Sequence, residues 1–175
     1  MKGFGALVLL IVLAGGCAAL SSPSAENVAS AELKDATGQV VGTAKLNQLN
    51  QGVRIVLAMR GMAPGAHGVH VHQVGQCEPP FTSAGGHFNP DGKKHGALNP
   101  QGPHAGDLPN ITINPDGTGR LEAISDAISL GPGPTSLFDA DGSALVVHAG
   151  PDDFKTDPAG NSGARVACGV IAKSR

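Results

Sequence analysis

From Val28 onward the chain is a succession of short runs rich in β-branched residues, each closed by turn residues, and no segment sustains a helical period. Such a pattern excludes a helical bundle or a βαβ unit and predicts an all-β domain with antiparallel pairing. Eight runs are expected to be strands, at 28–35, 39–48, 52–60, 68–74, 108–114, 118–124, 143–149 and 165–172. Asp35-Ala36-Thr37-Gly38, Asn114-Pro115-Asp116-Gly117 and Asp141-Gly142 carry the chemistry of tight turns between them. Because only 3% of the residues are aromatic, with no Trp or Tyr, the core must be built from Val, Ile, Leu and Ala. The 175 residues suffice for one compact domain, placed at 28–175, with its eight strands closing or nearly closing a barrel.

Two connections do not fit a hairpin scheme. Residues 75–107 and 150–164 are long, rich in Gly and Pro and without strand pattern, and loops of that length inside a compact domain are uncommon unless functional or disordered. The chemistry-bearing residues bracket both. All seven histidines fall between His67 and His148. His70 and His72 stand one residue apart on an expected strand, so their rings share one face while Val69 and Val71 share the other. His87, His95, His104 and Asp107 fall within twenty-one residues, spaced by Gly and Pro that let the backbone fold back, and form a complete tetrahedral N₃O set for zinc. His148 ends the apolar run Ala144-Leu145-Val146-Val147 and supplies another imidazole from a distant strand.

The N-terminal residues read as a targeting segment. Lys2 is followed by an apolar run from Phe4 to Ala14, too short to span a bilayer comfortably, and then by small residues before Cys17. Leu13-Ala14-Gly15-Gly16-Cys17 resembles a bacterial lipoprotein cleavage box, with Ala14 an imperfect match. On that reading residues 1–16 are a signal peptide, Cys17 carries lipid and 17–27 form a flexible tether; the other reading is an ordinary secretion signal cut nearby. Either puts the protein outside the cytoplasm, in the cell envelope. If Cys17 is lipidated, Cys77 and Cys168 remain as a pair in an oxidising compartment, where a disulfide is the default. A bridge closing a loop of about 90 residues is credited with roughly 4–5 kcal/mol by the chain-entropy model. The formal charge of −2 shows no basic stripe, so a small ligand is expected rather than nucleic acid.

The segments His67-Gly68-Val69-His70-Val71-His72, Gly86-His87-Phe88-Asn89-Pro90, Lys94-His95-Gly96, His104-Ala105-Gly106-Asp107-Leu108, Leu145-Val146-Val147-His148 and Gly163-Ala164-Arg165-Val166-Ala167-Cys168-Gly169-Val170-Ile171 resemble those of copper,zinc superoxide dismutases in order and spacing. The resemblance covers nearly all of the expected mature chain. It implies an eight-stranded antiparallel Greek-key β-barrel or sandwich, and an enzyme disproportionating superoxide with one copper and one zinc per chain. His70, His72, His87 and His148 would hold copper, and His87, His95, His104 and Asp107 zinc, so that His87 bridges the metals and also carries a proton. Asp152 would link a copper histidine to a zinc histidine, Cys77 and Cys168 would form the family disulfide, and Arg165 would guide the anion. His67 corresponds to a structural histidine.

Two departures touch the approach to copper: Ala159 stands where many members carry Thr, and in loop 150–164 only Asp153, Lys155 and Asp157 remain of the steering charges described for eukaryotic relatives. Oligomeric state stays open between monomer and homodimer. The rival readings are a noncatalytic copper- and zinc-binding lipoprotein on the same barrel, and a structural zinc protein whose other histidines merely pack.

Overall fold

The computed structural model describes Met1 and residues 28–174; the expected signal segment, the tether and Cys17 lie outside the described stretch. The strands are β1 (Val28–Asp35), β2 (Val40–Gln48), β3 (Val53–Met59), β4 (Gly65–His67), β5 (Val69–His72), β6 (Ile111–Ile113), β7 (Gly119–Ser125), β8 (Ala144–His148), β9 (Arg165–Val170) and β10 (Ala172–Lys173). All pair antiparallel in one sheet of order β4-β6-β7-β3-β2-β1-β9-β8-β5, with β10 added against β1.

That order begins and ends on two consecutive strands. β4 and β5 are halves of one extended stretch split at Gly68, the first half pairing with β6 and the second with β8, so the sheet closes on itself as a Greek-key barrel. Closure through the break is carried by Gly68 N donating to Gly150 O at 2.8 Å and His148 N donating to Gly68 O at 2.9 Å. Joining β4 to β5, and β9 to β10 across Ile171, recovers the eight expected strands. The expected strand at 68–74 omitted Gly65-Ala66-His67, whose Gly and Ala give no β-branched signal. The expected strand at 108–114 shrinks to Ile111–Ile113, because Pro109 has no N–H to donate and Asn110 bonds elsewhere. The turns ending at Gly38 and Gly117 join β1 to β2 and β6 to β7, at φ +86° and +81°, values that favour glycine, whereas Asp141-Gly142, with Gly142 at φ +67°, closes no hairpin and lies in the long connection from β7 to β8.

Inside the barrel the alternation of the strands sets the packing. Ala31 and Leu33 of β1, Ala44 and Leu46 of β2, Ile55 and Leu57 of β3 and Leu121 of β7 turn inward. Full burial of each Leu or Ile contributes roughly 1.5–3 kcal/mol. β5 and β8 depart from this pattern, since both are buried on both faces. Val69, Val71, Leu145 and Val147 face the core, Ala144 and Val146 pack with Phe81, Ala84 and Cys168 outside it, and the outward faces lie under the two long loops. The histidines stand on those covered faces.

Candidate metal centre

Loop 75–107 is laid on β5 by main-chain bonds. Val71 N donates to Gly106 O, Phe88 N to Val71 O and Gly106 N to Phe88 O, each at 2.8 Å, which sets His87 beside His72 and Asp107 beside His70. A Cβ at Gly106 would strike the Val71 carbonyl, so this approach requires glycine there. The Cys77–Cys168 disulfide, with Cα atoms 5.6 Å apart, fastens the start of the loop to β9. Loop 150–164 covers the other side, where Leu98 N donates to Phe154 O at 2.9 Å and Asp157 accepts from His95 N at 2.8 Å.

Ligand atoms of His70, His72, His87 and His148 lie within 4.8 Å of one another. Nδ1 of His70 and Nε2 of His72, His87 and His148 are buried without a hydrogen-bond partner; Ser143 Oγ is the other such side-chain atom among the described residues. Leaving four buried imidazole nitrogens unpaired is costly unless a ligand completes them. Their opposite nitrogens are all engaged: His70 Nε2 with Asp152 Oδ2 at 2.8 Å, His72 Nδ1 with Gly85 O at 3.0 Å, His87 Nδ1 with Asp107 Oδ1 at 2.9 Å and His148 Nδ1 with Gly163 O at 3.1 Å. Each ring is thereby fixed with one lone pair aimed at its neighbours, a donor set suited to copper. Burial pushes His70 and His148 down to about 4 and His72 to about 2, so these rings are neutral at physiological pH and have no proton to lose before binding a cation.

A second cluster meets around Asp107 Oδ1, with His87 Nδ1 at 2.9 Å, His95 Nδ1 at 3.0 Å and His104 Nδ1 at 3.4 Å, while His104 Nδ1 is 3.3 Å from His87 Nδ1. Separations near 3.3 Å are those of ligands about 2 Å from one tetrahedral ion, and three imidazoles with a carboxylate suit zinc; His104 keeps that distance from His87 and Asp107 but is not in the group with His87, His95 and Asp107 whose ligand atoms all lie within 4.8 Å of one another. His70 also lies within 4.8 Å of this cluster, but its Nε2 is bonded to Asp152 and its Nδ1 belongs with the first group. Only His87 presents Nδ1 to one cluster and an unpartnered Nε2 to the other. Burial works to lower His95, yet the carboxylates of Asp107 and Asp152 outweigh it and raise it to about 9, so a cation arriving at His95 must displace a proton. Against the effect of burial, bonds from His87 and His95 hold Asp107 far below the usual carboxylate range, and bonds from His70 and His95 do the same for Asp152.

Asp152 joins the clusters, with Oδ2 at 2.8 Å from His70 Nε2 and Oδ1 at 2.9 Å from His95 Nε2. It is held by a residue that no sequence signal marked: Asn110 Oδ1 accepts from Asp152 N and Asn110 Nδ2 donates to Asp152 O, both at 2.9 Å. Gly160 at φ +60° is the second unmarked position, since a Cβ there would run into the Asp152 carboxylate. Both ring nitrogens of His67 sit 2.8 Å from carbonyl oxygens, of His148 and Ala63, apart from the ligand clusters. Arg165 opens β9 half-buried and donates from Nη1 to Phe81 O and from Nη2 to Gly85 O, each at 2.6 Å. Gly85 O therefore receives both Arg165 and His72. Ala159 lies in loop 150–164, its carbonyl accepting from Ser162 Oγ at 2.7 Å and its methyl offering no hydroxyl.

Residues 40–171 match the family model for copper/zinc superoxide dismutase (SODC). The Cu-Zn superoxide dismutase 2 of Aquifex aeolicus is 50% identical over 164 residues, covering 91% of this chain and 96% of its own. That of Caulobacter vibrioides is 45% identical over 147 residues, 82% of this chain and 84% of its own. The crystal structure of a superoxide dismutase-like protein from Bacillus subtilis aligns with a TM-score of 0.78 at 38% identity, covering 81% of this chain and 96% of that one. The chain belongs to the copper/zinc superoxide dismutase family.

Proposed function

We propose that this protein is an exported superoxide dismutase, holding one copper at His70, His72, His87 and His148 and one zinc at His87, His95, His104 and Asp107. The observation that carries the reading is the set of four buried imidazole nitrogens without protein partners, one of them on a ring whose other nitrogen faces the second cluster. Two superoxide anions and two protons become one dioxygen and one hydrogen peroxide. Copper on imidazole nitrogens supplies the one-electron couple this requires, whereas zinc, having no accessible redox state, organises the site. His87 Nε2 takes up a proton in one half of the cycle and gives it up in the other, water supplying the second proton. The zinc ligands and Asp152 keep the rings of His87 and His70 oriented while this occurs. Arg165 docks the anion.

The test pairs metal content with turnover. The mature protein should take up one copper and one zinc, give a cupric spin-resonance spectrum of nitrogen ligation, and release one peroxide for every two superoxide anions consumed. A protein that bound both metals yet left superoxide to its spontaneous decay would instead be a metal-binding relative on the same barrel.

We also propose that the protein is released from its signal segment at Cys17 and anchored to a membrane of the cell envelope by lipid on that residue, on the strength of Lys2, the apolar run and the small residues before Cys17. Mass spectrometry of the native protein should find an N-terminal Cys17 carrying acyl chains. An unmodified start downstream of Cys17 would leave ordinary secretion as the route.

A further inference from the structure

We propose that Asp157 is a positioning residue for the zinc ligand His104: its carboxylate faces His104 Nε2 and holds the ring, while tying loop 150–164 to the loop that bears the zinc ligands. The inference rests on the zinc assignment made above.

Each of the other histidines in that set has its distal nitrogen accounted for. His95 Nε2 meets Asp152 Oδ1 at 2.9 Å, and His87 Nε2 belongs with the first cluster. His104 turns Nδ1 toward His87 Nδ1 and Asp107 Oδ1, at 3.3 and 3.4 Å. When Nδ1 gives its lone pair to a cation, the ring proton must sit on Nε2, and an N–H at that position needs an acceptor to fix the tautomer and the ring plane. Asp157 Oδ1 stands 3.8 Å from His104 Nε2. This distance exceeds a hydrogen bond, so the attraction is that of a carboxylate for a ring N–H dipole across a short gap.

Two other contacts fix the direction of that field. Asp157 Oδ1 accepts from His95 N at 2.8 Å and Oδ2 accepts from Lys94 Nζ at 3.2 Å. Although Asp157 lies at the rim, its carboxylate is held by main chain on one oxygen and by a cation on the other. Loop 150–164 thus places a carboxylate behind each of two zinc-facing rings: Asp152 behind His95 and Asp157 behind His104. Where such a partner hydrogen-bonds the ligand ring it is worth about 10- to 100-fold in metal affinity, and a carboxylate 3.8 Å from the ring nitrogen contributes less.

A plainer role would confine Asp157 to the loop clamp made with His95 N and Lys94. Asp157→Asn keeps an acceptor for His95 N but loses both the charge facing His104 and the Lys94 partner, so Lys94→Met, which removes only that partner and should leave zinc affinity unchanged, is measured beside it. In the mature chain, zinc affinity is measured by competition with a chromophoric chelator, and cobalt(II) in the zinc site reports ligand geometry through its visible spectrum. Asp157→Asn should weaken zinc several-fold and shift the cobalt bands, with the cupric spectrum of the other site unchanged. Asp157→Ala should weaken zinc at least as much. Wild-type affinity and cobalt spectrum in Asp157→Asn, with weakening confined to Asp157→Ala, would reduce Asp157 to a loop clamp and overturn the proposal. His104→Ala is the control on the underlying assignment. If it binds zinc as wild type does, the zinc set itself is wrong and the proposal falls with it; if it loses zinc while Asp157→Asn does not, only the role of Asp157 fails.

Discussion

His87→Ala should bind both metals more weakly and lose about 100-fold or more of the superoxide-dependent rate, the scale expected when a positioned proton donor is removed. The expectation follows from the two faces of one ring. Nδ1 of His87 lies 2.9 Å from Asp107 Oδ1, in the cluster proposed for zinc, and Nε2 is buried and unpartnered among His70, His72 and His148. Truncation therefore removes one donor from each set and leaves three protein donors in each. Asp107→Ala is the comparison, for it touches one set only. That variant should lower zinc affinity and loosen loop 75–107, because Asp107 Oδ2 also accepts from Gly96 N at 2.8 Å and His104 N at 3.0 Å. Copper should still bind at the strand-borne imidazoles. Titration with each metal separately, followed by rate at measured copper content, distinguishes the variants. Normal binding of both ions and full activity in His87→Ala would rule out a shared ligand.

How much of this was legible in advance depended on whether a residue's role is local. His70 and His72 could be placed on one face because a strand alternates with period two, and both are on β5, opposite Val69 and Val71. That His87, His95 and His104 gather around Asp107 was also legible, since donors within one Gly- and Pro-rich loop need only that loop to fold back. The break at Gly68 was not. It exists because one extended stretch must pair with β6 before it and β8 after it, a demand set by barrel closure rather than by Gly65, Ala66 or His67 themselves. Nor could Asn110 be found. Its work is done on the main chain of Asp152, forty-two residues away, and an Asn after Pro109 looks like any loop residue. Gly160 was hidden for the same reason, as one glycine among many until the Asp152 carboxylate occupies the place its side chain would need. Residues that act on distant backbone leave no periodicity behind.

Arg165→Ala should retain both metals, lower the second-order rate with superoxide at least several-fold and flatten its dependence on ionic strength; Arg165→Glu should be slower still. An ordinary strand-end arginine would pair with a carboxylate, and Arg165 does not do so among the described residues. Its donors go to the neutral carbonyls of Phe81 and Gly85, which fix the guanidinium without cancelling its charge. That charge is felt at the cluster proposed for copper, where it adds to burial in lowering the pKa of His72 and of His148. A cation held this way raises the local concentration of a small anion and gives it a hydrogen-bonding dock, an effect that salt screens within about 10 Å at 0.1 M. The same two bonds give Arg165 a structural share, because Ala leaves Phe81 O without this donor and loosens the link from Gly85 O to His72. Losing a partner of this kind costs about 1–3 kcal/mol where the group stays buried. Arg165→Lys separates the contributions, since it keeps the charge but cannot reproduce the fork that reaches both carbonyls. If guidance dominates, Lys should preserve most of the salt slope while Ala abolishes it. The rates must be compared at matched copper occupancy across a salt series, and an unchanged rate with an unchanged slope in both Ala and Glu variants would leave Arg165 only the task of holding Phe81 and Gly85.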